Sequence, residues 1–320
     1  DPVEMAVGNP SQHHIPSTGE LISKRLNDNC VVTPVSLAAC SLLSHARRGV
    51  TLEEFNRMSK LICDYLEKSG AVFSSKFGSP LEMVMMKALS MLSSMRLVGI
   101  NMSALGDYIS IGENRRSELA FFKNGISHFL LPLSVACMAI SRYGAPISRR
   151  KILEGLPLMQ GLLAHEFRFE TDRLGEKHLN DAIDFLIESE IAELSAEGNI
   201  YPTTNSAEVI ENVARVIAPY LETLYIATIH ANGLSEGESD EKELIEKMAR
   251  TGTDLLMLDR IRHKESTNRF DLAHAVPTLL ENHLLIEIPL EIGKKRQKKY
   301  GVSRNEEMAK NLKVELEKLL

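Results

Sequence analysis

Pro80–Ile111 reads PLEMVMMKALSMLSSMRLVGINMSALGDYISI, and this stretch decides the fold class. From Pro80 to about Leu97 it is predicted as a helix. Two short alternating runs follow, around Val98–Met102 and Tyr108–Ile111, joined through Ala104, Leu105 and Gly106, which is the pattern of a β-hairpin. A helix that runs straight into a small hairpin is the closing half of a winged-helix-like unit.

Upstream, two more helices complete that unit. Thr33 before Pro34 is a good N-cap with proline at the first helical position. Val35, Leu37, Ala38, Ala39, Leu42 and Leu43 then form a wide apolar stripe through Ser44. Gly49 ends that helix. Thr51 with Glu54 three residues later is a capping-box pattern, followed by Leu52, Phe55, Met58, Ile62, Tyr65 and Leu66 on helical spacing.

Downstream, the same order returns. Leu131–Tyr143 is predicted as a helix, Pro146 stops and restarts the chain, Ser148 caps a helix through about Glu166, and Gly175–Glu190 makes a third. Ile191–Leu194 and Asn199–Thr203 give the second hairpin. A third copy runs through Val216–Ala231, Glu241–Ala249, Asp271–His283 and the strand-like Leu284–Ile292. The expectation is a mainly α fold of tandem, divergent winged-helix-like units, each of three helices plus a small β-hairpin. Its divisions are a linker or loop at 1–18, units at 19–120, 121–210 and 211–292, and a basic segment with a C-terminal helix at 293–320.

Bulk properties narrow the function. At 320 residues and 44% hydrophobic the chain is globular, and a net charge of -6 denies it the diffuse positive field of a polyanion binder. A winged helix can read DNA, but the third helices here, PLEMVMMKALSMLSSMRL, GEKHLNDAIDFLIESE and DLAHAVPTLLENHLL, are apolar or acidic. Packing is their better use, and no nucleic-acid partner is expected. Cys30, Cys40, Cys63 and Cys137 are widely separated and read as reduced thiols. His13 and His14 lie in the polar leader far from any cysteine, so no metal site is expected. The first residue is Asp, and no signal-peptide pattern opens the chain, which reads as a cut piece. The most apolar run, Phe129–Ile140, holds Pro132 and Ser134 and is shorter than the roughly 20 residues a bilayer requires, so no transmembrane helix is expected.

Catalytic patterns are sparse. There is no P-loop, G-x-G-x-x-G after a strand, G-x-S-x-G elbow or H-E-x-x-H. A histidine oriented by an aspartate in H-x-x-x-x-D is a common acyltransfer base, and none of the ten histidines has Asp five residues on. His165 with Glu170 comes nearest and reads as the end of an amphipathic helix. Phe121–Pro132, FFKNGISHFLLP, is different: aromatics, a cation, Asn, Gly and His precede an apolar helix. Phe122, Asn124 and His128 are therefore candidate contacts for an anionic or acyl substrate. Equally, Asn124 can cap the helix and His128 can satisfy a buried backbone group. The basic cluster Lys294, Lys295, Arg296, Lys298 and Lys299 is a candidate contact with anionic lipid, or a solvated charge run before a terminal packing helix.

Three stretches carry a family resemblance. Val31–Arg48, VVTPVSLAACSLLSHARR, follows a V-x-P-x-x-L-x-A-x-x-L-L-S pattern. Phe121–Pro132 carries an aromatic-aromatic-x-N-x-x-x-H block. Leu162–Leu179, LLAHEFRFETDRLGEKHL, has an E-F-x-F helix end. In order and spacing these resemble the C-terminal half of the bacterial and mitochondrial type of glycerol-3-phosphate acyltransferase, related to dihydroxyacetone-phosphate acyltransferase. The resemblance implies acyl transfer from coenzyme A or an acyl carrier thioester to glycerol 3-phosphate at the membrane surface. It also implies a base and phosphate-holding residues upstream of the matched part. This segment then holds no catalytic residue and needs no cofactor. Phe122, Asn124 and His128 become cleft or domain-contact residues, the partner is the chain's own upstream acyltransferase domain, and the location is peripheral at the cytoplasmic face of the membrane. The competing expectation is a free-standing helical adaptor or winged-helix protein-interaction scaffold.

Overall fold

The computed structural model describes residues 29–320 apart from 79, 105, 168–172, 234–238, 293–294 and 303–305. The expected leader at 1–18, residues 19–28, Glu170 and Lys294 lie outside the described residues.

The first unit runs from β1 (Val31–Val32) through α1 (Pro34–Leu43), β2 (Gly49–Thr51), α2 (Leu52–Lys68) and β3 (Val72–Phe73) to α3 (Leu81–Ser94), β4 (Val98–Asn101) and β5 (Tyr108–Ile111). The expected caps are in place. The Thr33 hydroxyl accepts from the Ser36 amide at 3.1 Å while Ser36 Oγ accepts from the Thr33 amide at 2.9 Å. Thr51 and Glu54 form the same reciprocal pair at the start of α2.

The second unit holds α4 (Arg116–Arg142), β6 (Ile147–Ser148), α5 (Arg149–Glu154), α6 (Leu156–Phe167), α7 (Glu176–Glu188), β7 (Ala192–Leu194) and β8 (Asn199–Pro202). After a connecting α8 (Ala207–Ala214), the third holds α9 (Ala218–Gly233), β9 (Ser239–Asp240), α10 (Glu241–Met257), α11 (Arg269–Glu281), β10 (Leu285–Ile292) and β11 (Lys295–Val302). Helix α12 (Glu306–Leu319) closes the chain. The fold is mainly helical, with small sheets.

The three units share one connectivity. Each three-stranded sheet is ordered with its last strand central, β2-β5-β4, β6-β8-β7 and β10-β11-β9. In each, the first strand ends on the residue that caps the next helix: Thr51 accepts from the Glu54 amide, Ser148 from that of Lys151 and Asp240 from that of Glu243. A single polar side chain thus ends the strand and opens the helix, which fixes the angle between them.

Three expectations need correction. Helix α4 starts at Arg116, not near Leu131, so Asn124 lies inside it and caps nothing. The expected helix from Ser148 to Glu166 breaks at Gly155 into α5 and α6. The divisions at 121 and 211 fall inside α4 and α8, and the division at 293 separates two strands of one hairpin, since β10 pairs with β11 from Leu285↔Val302 to Ile292↔Lys295.

Helix α4 is the spine of the molecule. Every residue from Ile126 to Ile140 is buried, and α4 packs against α1 in the first unit, α7 in its own and the connecting α8. A helix that is apolar all round belongs in a core. Pro132 removes one backbone bond from its ladder without ending it, because packing surrounds that turn on all sides. Among the described residues α4 is also the one helix long and apolar enough to cross a membrane, but 83% of its apolar window is buried inside the protein. Its length exceeds what the dozen-residue apolar run suggested; its use is as a core element.

Candidate functional site

The N-terminal half of α4 is the part that is not fully enclosed, and it forms one wall of a cleft of about 930 Å³. Positions three and four apart share a helical face, so Phe121, Asn124, Gly125 and His128 line up along the cleft, with Phe122 beside them. A side chain added at Gly125 would meet nothing within 4 Å, so the space above it is open. The opposite walls come from Val31 on β1, Thr33 and Ser36 at the start of α1, Glu166 and Phe167 at the end of α6, Tyr220 on α9, and Phe270, Asp271 and His274 on α11. The three residues singled out from the sequence are thus brought to one concavity.

Its rim is apolar and exposed. Phe121 is 78% exposed and Phe270 67%, and each is braced by a ring partner, Phe122 at 5.7 Å and His274 at 4.5 Å between centroids. Large aromatic groups held out at a cleft edge are what an interaction site presents.

Behind the rim lies a polar chain. Lys123, only 2% exposed, turns away from the cleft and donates to the Val216 carbonyl at 3.0 Å and to the Tyr220 hydroxyl at 3.4 Å. Tyr220 donates in turn to Asn124 Oδ1 at 2.8 Å. Burial pushes the Lys123 ammonium below its ordinary range and the Tyr220 phenol well above its own. Asn124 is therefore an acceptor that ties α4 to α9 while its other face looks into the cleft. His128 is buried and stacks on Phe129 at 4.1 Å between centroids.

The wall opposite is acidic. His274 Nδ1 lies 3.1 Å from Glu166 Oε2. Burial, then the neighbouring Glu166 carboxylate, pushes Asp271 up to about 6. Deeper in, Arg116 and Glu265 form a buried two-pronged ion pair at 3.2 and 3.3 Å. Glu265 is held below the usual carboxylate range: burial opposes its charge, but Arg116 and His263 outweigh that. Tyr220, Asp271 and His274 were not singled out from the sequence; Asp271 and His274, three apart and so on one face of a helix, were the available signal. No group of three or more His, Cys, Asp or Glu poised for a metal ion occurs among the described residues.

The basic candidates lie elsewhere. Lys295, Arg296, Lys298 and Lys299 fall on β11, a strand held between β10 and β9, with Lys299 opposite Ile288 and Asp240. His165 Nε2 approaches Glu281 Oε1 at 2.8 Å, a contact between α6 and α11.

A family model described as the C-terminal region of glycerol-3-phosphate acyltransferase matches residues 7–287. The chain belongs to this family. Relatives named glycerol-3-phosphate acyltransferase include one from Ectopseudomonas mendocina (strain ymp), 23% identical over 276 residues that cover 83% of this chain and 32% of the relative. One from Pseudomonas putida (strain GB-1) is 22% identical over 274 residues, covering 83% and 32%, and one from Pseudomonas aeruginosa (strain LESB58) is 23% identical over 284, covering 85% and 33%. The chain spans about a third of the length of these relatives. In this C-terminal acyltransferase region, the three stretches that carry the resemblance form the start of the first unit, the cleft-facing half of α4, and the α6 end that supplies Glu166 and Phe167.

Proposed function

We propose that the chain is the non-catalytic C-terminal region of an enzyme that transfers a fatty acyl group from a coenzyme A or acyl carrier thioester to the first hydroxyl of glycerol 3-phosphate, the first step of phospholipid synthesis. Its role is a helical platform on which the upstream acyltransferase domain sits. The observation that carries this reading is the cleft of about 930 Å³ on α4, where Phe122, Asn124 and His128 converge beneath the exposed rings of Phe121 and Phe270. An exposed aromatic rim over a rigid buried helix suits a domain contact, since the residues that anchor interfaces are large, ringed and backed by packing. The catalytic base belongs upstream, and residues 1–320 are expected to be inactive alone.

The test uses the full-length enzyme. Phe121→Asp with Phe270→Asp, both at exposed positions, should lower acyl transfer at least tenfold while the isolated C-terminal region keeps its native melting temperature. Full activity in that variant, or glycerol-3-phosphate acylation by residues 1–320 alone, would remove the reading. A peripheral position at the cytoplasmic face of the membrane goes with it, with the basic strand β11 as the lipid contact. Flotation with phosphatidylglycerol vesicles should then weaken when Lys295, Arg296 and Lys298 are replaced by Gln.

A further inference from the structure

At the other end of α4 a second concavity, of about 380 Å³, is lined by four arginines. Arg142 is the last residue of α4, Arg215 follows α8, and Arg260 and Arg262 follow α10; Ala218, the first residue of α9, also faces it. Carboxylates share the wall, so the charge must be accounted for group by group.

Glu211 is fully engaged: it accepts from Arg142 at 2.7 and 2.8 Å, from Arg215 at 3.2 Å and from the Ser141 hydroxyl at 2.5 Å. Glu222, 3% exposed, is committed to the Arg262 amide at 2.8 Å, the His263 amide at 3.0 Å, His263 Nδ1 at 2.8 Å and the Ser266 hydroxyl at 2.7 Å. Glu317 takes the Tyr225 hydroxyl at 3.0 Å. Asp259 and the terminal carboxylate of Leu320, which also lines the concavity, remain. Facing them are the guanidinium groups of Arg260 and Arg262, both exposed, which make no hydrogen bond or ion pair with the described residues. Arg142 and Arg215 are held rigid by Glu211, and Arg215 is depressed first by burial, an effect that the Glu211 charge opposes and the Arg262 and Arg142 charges reinforce. Arg260 and Arg262 thus keep their guanidinium donors free for an anion.

We propose that this concavity binds a phosphate-bearing anion, gripped by Arg260 and Arg262 against the wall formed by Arg142 and Arg215. Guanidinium forks match phosphate oxygens in pairs, and the start of the 16-residue helix α9 adds its positive end. The volume is ample for a phosphate monoester or diphosphate. This proposal stands apart from the α4 cleft and its proposed role.

Calorimetric titration of the chain with sodium pyrophosphate at constant ionic strength tests it. Saturable binding is expected, weakened at least tenfold by Arg260→Glu with Arg262→Glu and unchanged by Lys76→Glu with Lys87→Glu, two exposed lysines of the first unit. Absence of saturable binding, or equal loss in both double variants, overturns the proposal. Vesicles containing phosphatidic acid separate the sources. Binding that pyrophosphate displaces and the arginine variant loses identifies a lipid headgroup; pyrophosphate binding without vesicle binding identifies a soluble phosphate.

Discussion

The phenolic oxygen of Tyr220 donates to Asn124 Oδ1 at 2.8 Å while accepting from the buried ammonium of Lys123 at 3.4 Å, so three polar groups in series join α9 to the spine helix α4. Tyr220 is 6% exposed, and removing Asn124 Oδ1 takes away the acceptor of a nearly buried hydroxyl. Asn124→Ala should therefore cost about 1–3 kcal/mol, a fall in Tm of several degrees by calorimetry. Tyr220→Phe in the same background should add much less than it does alone, because the two side chains act as one unit. Additive losses would mean that the bond contributes nothing. If Asn124→Ala in the full-length enzyme lowers stability at normal specific activity, its part is confined to this tie.

Asp271 gives the cleft a pH dependence whose sign can be worked out. Its carboxyl is raised from 3.8 to about 6, by burial first and Glu166 second, so between those values the folded state holds a proton that the unfolded chain has released. Stability owed to this group is full below about pH 4 and is lost as pH rises through 6. Asp271→Asn, which keeps the shape and removes the charge, should stabilise the protein by about 1–3 kcal/mol at pH 7.5 and have little effect at pH 4. Urea melts at the two pH values check this, and a stabilisation of equal size at both would contradict it.

Arg116 and Glu265 present the opposite case, a buried pair that satisfies itself. Removing one partner strands the other, so Glu265→Gln should destabilise by about 3–5 kcal/mol. Arg116→Met with Glu265→Leu should recover most of that, because neither charge then remains to be solvated. Denaturant midpoints of the three proteins decide it: a double variant no better than the single one would show that the pair itself, not the stranded charge, sets the cost.

Much of this architecture was legible because its signals are local. Thr33, Thr51 and Ser148 announced three helices, and alternation announced the hairpins β4–β5 and β7–β8. The first strand of each sheet was not legible, since Ile147–Ser148 and Ser239–Asp240 are too short to show alternation and exist only through their partners. Strand β11 was hidden for a related reason: Lys295–Lys299 has a composition that strands avoid, and pairing with β10 overrides it. In the cleft, Phe122, Asn124 and His128 stood out because they are close in sequence. Tyr220, Glu166 and Asp271 join them only after α6, α9 and α11 have packed, and no spacing rule links elements so far apart. The start of α4 was misplaced because Asn124 and Gly125 look like a helix beginning, whereas they are the open face of a helix already under way.

The wall that Tyr220 supplies depends on how closely α9 meets α10, and Gly252 sets that distance. A methyl group there would lie 3.0 Å from Ile226 Cδ1 and 3.0 Å from Thr267 Cγ2. Alanine is favoured over glycine within a helix by about 1 kcal/mol, but Ile226 is fully buried and has little room to yield. Overpacking of this kind costs about 1–3 kcal/mol, so Gly252→Ala should be destabilising by about 1 kcal/mol and Gly252→Val by about 3. Ile226→Val deletes one of the two atoms in the way and should recover part of the Gly252→Ala loss, with Thr267 Cγ2 still in contact, although Ile226→Val alone loses buried surface. Chemical denaturation of the parent and the four variants is the measurement. A Gly252→Ala protein more stable than the parent would show that the two helices have slack between them, and that the cleft wall is positioned by something other than their contact.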